Sequence, residues 1–372
     1  MPSDDGRCNG VRRWVQLHLL HRRRSLIALT ALVALSAAII SGQSAPPSNT
    51  APAGKPYSVP RTPWGDPDLQ GMWPGNVSAP LQRPVDLGER ATLTDAEFAQ
   101  REAQARAQGE ADSQQFVPAS PGQAGGRGGR GGRGGGGIGP PDHWLERGTP
   151  IRQTSLIVDP PNGRLPALVA GAEERRKAAR GGRGMPGEWR GQADSYDDLN
   201  IYYRCITRGL LGSVIPVIYS NGNEIVQAPG YVVFRNEMIH ESRVIPLDGR
   251  PHVSPAIRMY MGDSRGHWDG DTLVVETTNL TDKVAIGSNG AGYPGDPGYH
   301  SLALRVTERF RRIGDNMLLY QATVDDPQTW VRPWTLQLPL ARGTDPHLFE
   351  YACHEGNYAM RNILSAARTE DK

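Results

Sequence analysis

From about residue 198 onward the chain is a succession of short segments rich in Val, Ile, Thr and Tyr. They are Glu224–Arg235, Met238–Leu247, Thr272–Leu280, Ala303–Ile313, Met317–Val324, Trp334–Leu340 and Leu348–Cys353. β-Branched and aromatic side chains suit a pleated, half-buried surface. Between the segments stand Arg235-Asn236-Glu237, Asp248-Gly249, Asp269-Gly270-Asp271 and Gly314-Asp315-Asn316. Asn, Asp and Gly supply the positive φ of tight hairpins. Long helical periods are absent, so the pattern predicts a mainly β chain folded as an antiparallel meander. So many strands must hide their edges by closing or by packing sheet on sheet. A closed or nearly closed barrel is the expectation and a β-sandwich the alternative, with a few short peripheral helices.

The rest of the chain is organised around this core. Residues 1–45 read as a signal peptide: Arg22, Arg23 and Arg24 precede an apolar run from Ser25 to Ile40, and small residues follow. A helix of that length spans about 24 Å, short of a hydrocarbon core of about 30 Å. No membrane span is therefore expected once the signal is cleaved. Arg23-Arg24-Ser25-Leu26-Ile27 also has a twin-arginine shape, so either the Sec or the twin-arginine route leads to a periplasmic or extracellular location. Residues 46–63 read as a flexible tether, and 64–118 as an N-terminal segment with one helix opened by the capping box Thr94-Asp95-Ala96-Glu97. The Gly/Arg repeat at 119–141 reads as a disordered insertion, because it cannot bury enough apolar surface to offset its chain entropy. Residues 142–197 form a connecting segment with a short strand and helix, 198–364 the β-rich core and 365–372 a tail. Gly287–Gly298 reads as a long loop and a candidate lid.

Charge excludes one class of partner. The whole chain carries 41 basic and 39 acidic residues. Residues 1–45 hold six Arg and two Asp, which leaves 35 basic and 37 acidic residues, a net charge of −2. The mature chain thus has no electrostatic motive to bind nucleic acid. Cys8 leaves with the signal, so Cys205 and Cys353 remain as a candidate disulfide or as two buried thiols.

Two sets of residues resemble known groups. Gly71-Met72-Trp73 resembles the G-x-W at the first strand of lipocalin-like (calycin) barrels. That resemblance implies a Trp closing one barrel end under a late Arg, with Arg332 and Arg361 as candidates. Thr62–Trp73 fits T-P-x-G-x-P-D-L-x-G-x-W, Arg243–His252 reads R-V-I-P-L-D-G-R-P-H, and Tyr351–Tyr358 reads Y-A-C-H-E-G-N-Y. With these motifs the chain resembles an uncharacterised family of exported bacterial proteins. The resemblance implies export and carries no catalytic residues over.

Strand alternation supplies the candidate chemistry. Successive side chains point to opposite faces. Along Leu304–Phe310, Glu308 falls in register with Leu304, Val306 and Phe310. An inward carboxylate needs a partner. Along Ile239–Ile245, Glu241 and Arg243 share a face with Ile239 and Ile245. Glu308 and Glu241 are therefore candidate acid/base groups and Arg243 a substrate anchor. His354 is a candidate general base, while His267, Trp330 and Trp334 are candidate substrate contacts. In Asp325-Asp326-Pro327, Asp326 reads as a cap for the following turn. No H-E-x-x-H, G-x-S-x-G or nucleotide-binding motif occurs, so no metal site is assigned and the cofactor stays unknown. The expected function is an exported barrel with an internal pocket for a small, partly apolar molecule, with acid/base catalysis of isomerase, lyase or hydrolase type as its enzymatic form. The alternative is a structural or interaction module of the cell envelope.

Overall fold

The computed structural model describes residues 57–114, 145–179 and 195–370, except 197–198, 200, 203, 218–221, 288–297 and 346. The signal segment 1–45, the Gly/Arg insertion 119–141 and most of the Gly-rich candidate lid lie outside the described residues.

In chain order the strands are β1 (Gly71–Met72), β2 (Val77–Ser78), β3 (Thr149–Pro150), β4 (Ile157–Asp159), β5 (Asn223–Ala228), β6 (Tyr231–Asn236), β7 (Ser242–Pro246), β8 (Asp263–Asp269), β9 (Thr272–Thr278), β10 (Arg305–Gly314), β11 (Met317–Asp325) and β12 (Trp334–Ala341). The helices are α1 (Asp95–Gln114), α2 (Ala172–Ala179) and α3 (Tyr358–Glu370). Two antiparallel sheets result, one of four strands in the order β1-β5-β6-β7 and one of six in the order β4-β12-β11-β10-β9-β8. β2 and β3 form a separate parallel pair. Edge strands β7 and β8 are neighbours, but among the described residues no ladder joins the two sheets into a closed barrel.

The period-2 pattern explains the core. In β11, Leu318, Tyr320, Ala322 and Val324 are fully buried, and the residues between them are half-exposed. β12 repeats this with Trp334, Leu336, Leu338 and Leu340. Phe310 of β10 stands opposite Tyr320, their ring centres 4.9 Å apart, and it also meets Phe234 of the four-stranded sheet at 5.6 Å. Each such side chain contributes about 1.5–3 kcal/mol by leaving water. Trp330 and Trp334, expected as ligand contacts, meet edge to face at 5.7 Å within this core.

Several segment boundaries move. Glu224–Arg235 is a hairpin, not one strand; Gly230 at φ +77° makes its turn, a conformation glycine adopts without a Cβ clash. Met238–Leu247 yields a strand only from Ser242, because Ile239 and His240 take positive φ and interrupt the pleat. Leu348–Cys353 forms no strand. β8 is unforeseen, since Asp263-Ser264-Arg265-Gly266 lacks strand-forming types. Gly266 belongs there because a Cβ would stand 2.7 Å from Leu247 and 2.9 Å from Ile245. The expected tether is in place from Tyr57, with Val59 and Thr62 buried, and residues 365–370 of the expected tail are helical as part of α3.

The capping box forms at α1: Glu97 N donates to Thr94 Oγ1 at 3.3 Å and Thr94 N to Glu97 Oε2 at 2.8 Å. Arg90, with the Thr94 N–H and the Thr94 hydroxyl that donates to Glu97 Oε2 at 2.9 Å, holds the Glu97 carboxyl down at about 2. Trp73 donates its Nε1 to Leu69 O at 2.7 Å, and its ring is flanked by the guanidinium groups of Arg312 at 5.8 Å and Arg342 at 5.5 Å. Arg332 instead pairs with Asp159 on the surface, and Arg361 lies exposed on α3. Among the described residues no helix is long and apolar enough to cross a membrane.

Candidate functional site

Glu308 points inward from β10 between Val275 of β9 and Ala322 of β11, with none of its side chain exposed. Its partner comes from the other sheet. Arg243 of β7 donates from both terminal nitrogens, Nη1 to Oε2 and Nη2 to Oε1, the latter at 3.0 Å. Tyr320 adds a hydroxyl donor to Oε1 at 3.0 Å. Ser264 and Thr277, joined to each other at 2.8 Å, face Nη1 at 3.5 and 3.4 Å. Arg243 also lies 5.6 Å from the Phe234 ring centre. Burial opposes its charge, but Glu308 beside it more than offsets this and raises the guanidinium pKa. Burial and then Glu308 push the Tyr320 phenol well above its usual range. The pair therefore binds the two sheets through a charged, fork-shaped contact. Arg243 Nε is buried and meets no hydrogen-bond partner among the described residues.

Next to this pair lies a second carboxylate. Glu241 directly precedes β7 and is half-buried. Thr207 donates its hydroxyl to Glu241 Oε2 at 2.6 Å, and the Arg208 backbone N–H is a further donor. Gly209 N donates to Thr207 Oγ1 at 2.9 Å, which fixes that hydroxyl's aim. Burial pushes the Glu241 carboxyl above its usual value; the Thr207 and Arg208 donors and the Arg243 charge only partly counter it. Glu237 is pushed up as well, first by burial and then by the charge of Glu146. Arg208, itself buried, lies 5.8 Å from the Tyr202 ring centre.

The backbone here is strained. Ile239 at φ +63° and His240 at φ +52° occupy the left-handed region, as does Cys205 at φ +56°. For a β-branched residue this is a genuine outlier, costing about 1–3 kcal/mol, and such residues cluster where function over-determines the geometry. The C-terminal strap, residues 348–353, is fastened to the same place. Cys353 is bonded to Cys205, their Cα atoms 5.7 Å apart, and Tyr351 N donates to His240 Nε2 at 2.6 Å.

The structure thus brings Glu308, Arg243 and Glu241 into one neighbourhood, and does not bring the histidines to it. His354 is exposed in the turn after Cys353, where its carbonyl accepts from Asn357 N. His267 is exposed on β8, opposite Val274. Trp330 and Trp334 are core residues. Thr207, Arg208 and Glu237 belong to the site but were not singled out from sequence. The one available signal was Thr207-Arg208 set directly before the apolar run Leu210–Val217. Among the described residues no group of three or more His, Cys, Asp or Glu is arranged to hold a metal ion. No family model, curated protein or solved structure that was compared matches the chain.

A half-buried carboxyl with a raised pKa, aimed by a hydroxyl and an amide, is suited to giving or taking a proton. The bidentate pair behind it supplies a fixed field.

Proposed function

We propose that this is an exported β protein that takes up a small, partly apolar molecule beside β7, with Glu241 as the acid/base group. Arg243 and Glu308 then serve as its fixed electrostatic floor. In this reading the two sheets act as the halves of an incompletely closed, lipocalin-like barrel. The chemistry is proton transfer of isomerase, lyase or hydrolase type. The observation that carries it is the desolvated Glu241 carboxyl, held by Thr207 and Arg208 next to two consecutive left-handed residues. Structural ion pairs also perturb pKa values, but among the described residues no bidentate cation pairs with Glu241. Export to the periplasm or beyond is part of the proposal, and the Cys205–Cys353 bond supports it, since such bonds persist in oxidising compartments.

The sealed pairing of Arg243 with Glu308 favours a second reading, a structural or interaction module of the envelope. A screen of small hydroxylated and carboxylated compounds by amide NMR separates the two. The proposal expects ligands that shift the Thr207, Arg208 and Glu241 amides and that lose at least about tenfold in affinity in Glu241→Gln, the worth of one charge-assisted hydrogen bond. If every binder leaves those amides unmoved, or Glu241→Gln binds as the parent does, the structural module is the better account.

A further inference from the structure

The strap of residues 348–353 bridges the two backbone segments whose side chains meet at Glu241. One segment, residues 204–209, carries Thr207 and Arg208. Cys205, two residues before Thr207, holds the strap through its bond to Cys353. The other segment, residues 236–241, carries Glu241. His240, directly before Glu241, accepts from the strap's Tyr351 N at 2.6 Å. Leu348 makes a third contact, since a Cβ on Gly222 would stand 3.0 Å from its Cδ2 and would also meet Glu237. The hydrogen bond from Thr207 to Glu241 therefore closes a ring that runs through His240, Tyr351, Cys353 and Cys205.

Both anchors on the body are themselves left-handed residues, Cys205 at φ +56° and His240 at φ +52°. Non-glycine residues persist in that region only where the surroundings hold them. Releasing the strap removes part of that hold at both anchors at once. Each segment then relaxes, and the hydroxyl of Thr207 loses its fixed aim at Glu241. The bond is also the accessible link in the ring. Cys205 is buried, whereas Cys353 is half-buried in a stretch whose Ala352, His354 and Glu355 are exposed. Thiol–disulfide exchange depends on which sulfur an incoming thiolate reaches, and here that sulfur is Cys353 Sγ.

We propose that the strap is a redox clamp on the contact between Thr207 and Glu241, closed by the Cys205–Cys353 bond and opened by a protein dithiol. As regulation of the site, this rests on the reading of Glu241 as the acid/base group. One thiolate of the dithiol attacks Cys353 Sγ, the bond to Cys205 breaks, and Cys205 leaves as a thiolate that takes up a proton. The second thiol of the dithiol then attacks the mixed disulfide and expels Cys353, which takes up the second proton. The chain gains two electrons and two protons, and the dithiol is oxidised to its disulfide. In the open form Glu241 meets more water, so burial no longer holds its carboxyl as high. The oxidised chain is the competent one.

The test compares the oxidised mature chain with the same chain in dithiothreitol, by hydrogen exchange and by ¹³C titration of Glu241. Gly209 N donates to Thr207 Oγ1, so its exchange reports the clamp directly. Reduction should speed exchange at Gly209 by about fivefold or more, the worth of one hydrogen bond. It should also move the Glu241 midpoint down toward 4.5, while β10 and β11 amides stay protected. His240→Gly opens the other anchor with the bond intact and tolerates the left-handed backbone, and it should give both changes without dithiothreitol. Unchanged Gly209 exchange in the reduced chain or in His240→Gly would overturn the clamp, as would a bond that resists dithiothreitol. Loss of β10 and β11 protection would overturn it too, since the bond would then hold the whole fold. A Glu241 midpoint at or below 4.5 already in the oxidised chain would remove the acid/base reading, and Gly209 exchange alone then decides the clamp.

Discussion

Glu308 and Arg243 show how far single residues can be read. Alternation along β10 places Glu308 among Val306 and Phe310, and an inward carboxylate demands a cation. Arg243 is that cation, because β7 alternates from Ser242 onward and points it inward. Glu241 cannot be read the same way. Two left-handed residues precede it, so its aim is set by Thr207 and Arg208, more than thirty residues earlier in the chain. The pair itself yields a sharp prediction. Glu308→Ala leaves Arg243 buried without its counter-ion and should destabilise by about 3–5 kcal/mol in urea unfolding. The double variant Arg243→Met with Glu308→Leu should regain most of that loss, since apolar residues of similar size often replace a buried pair without penalty. If Glu308→Ala unfolds at the parent urea concentration, the pair does not hold the sheets together.

Elements differ in legibility for a physical reason. β11 and β12 were legible because one face is buried along the whole strand, so the apolar residues fall at every second position. β8 was not, because its buried face carries Ser264 and Gly266, small residues that leave room for Arg243, Ile245 and Leu247 from the neighbouring sheet. The C-terminal strap was misread as a strand because Leu, Phe and Tyr occur there without alternation; a disulfide and a His240 contact hold it instead. Cys205 and Cys353 are 148 positions apart, and closing so long a loop is worth about 5 kcal/mol in the chain-entropy model. The variant Cys205→Ser with Cys353→Ser should therefore lose about 2–5 kcal/mol of stability. Hydrogen exchange at Tyr351 should quicken, while β10 and β11 amides stay protected. Unchanged exchange at Tyr351 would mean that the strap is held by something other than the bond.

At the scale of the whole molecule, the mainly β, antiparallel character followed from composition and turn spacing. How the two sheets meet did not, because β7 and β8 touch through side chains and not through a ladder whose pattern a sequence could display. What the two sheets enclose gives the molecule its central property. A shared polar seam runs from Tyr320 and Glu308 through Arg243 to Glu241, and its outer end is only half-buried. Glu241 links this seam to pH. Its carboxyl is raised in the fold, so the folded state favours the protonated form, and stability relative to Glu241→Gln is full below about pH 4.5 and declines as pH rises through the native value. The decline cannot exceed about 1.4 kcal/mol per pH unit. The direct measurement is a ¹³C NMR titration of the Glu241 side-chain carboxyl in the folded protein. A midpoint clearly above 4.5 is the predicted result. A midpoint at or below 4.5 would show an ordinary solvated carboxylate and remove the acid/base group on which the proposed chemistry rests.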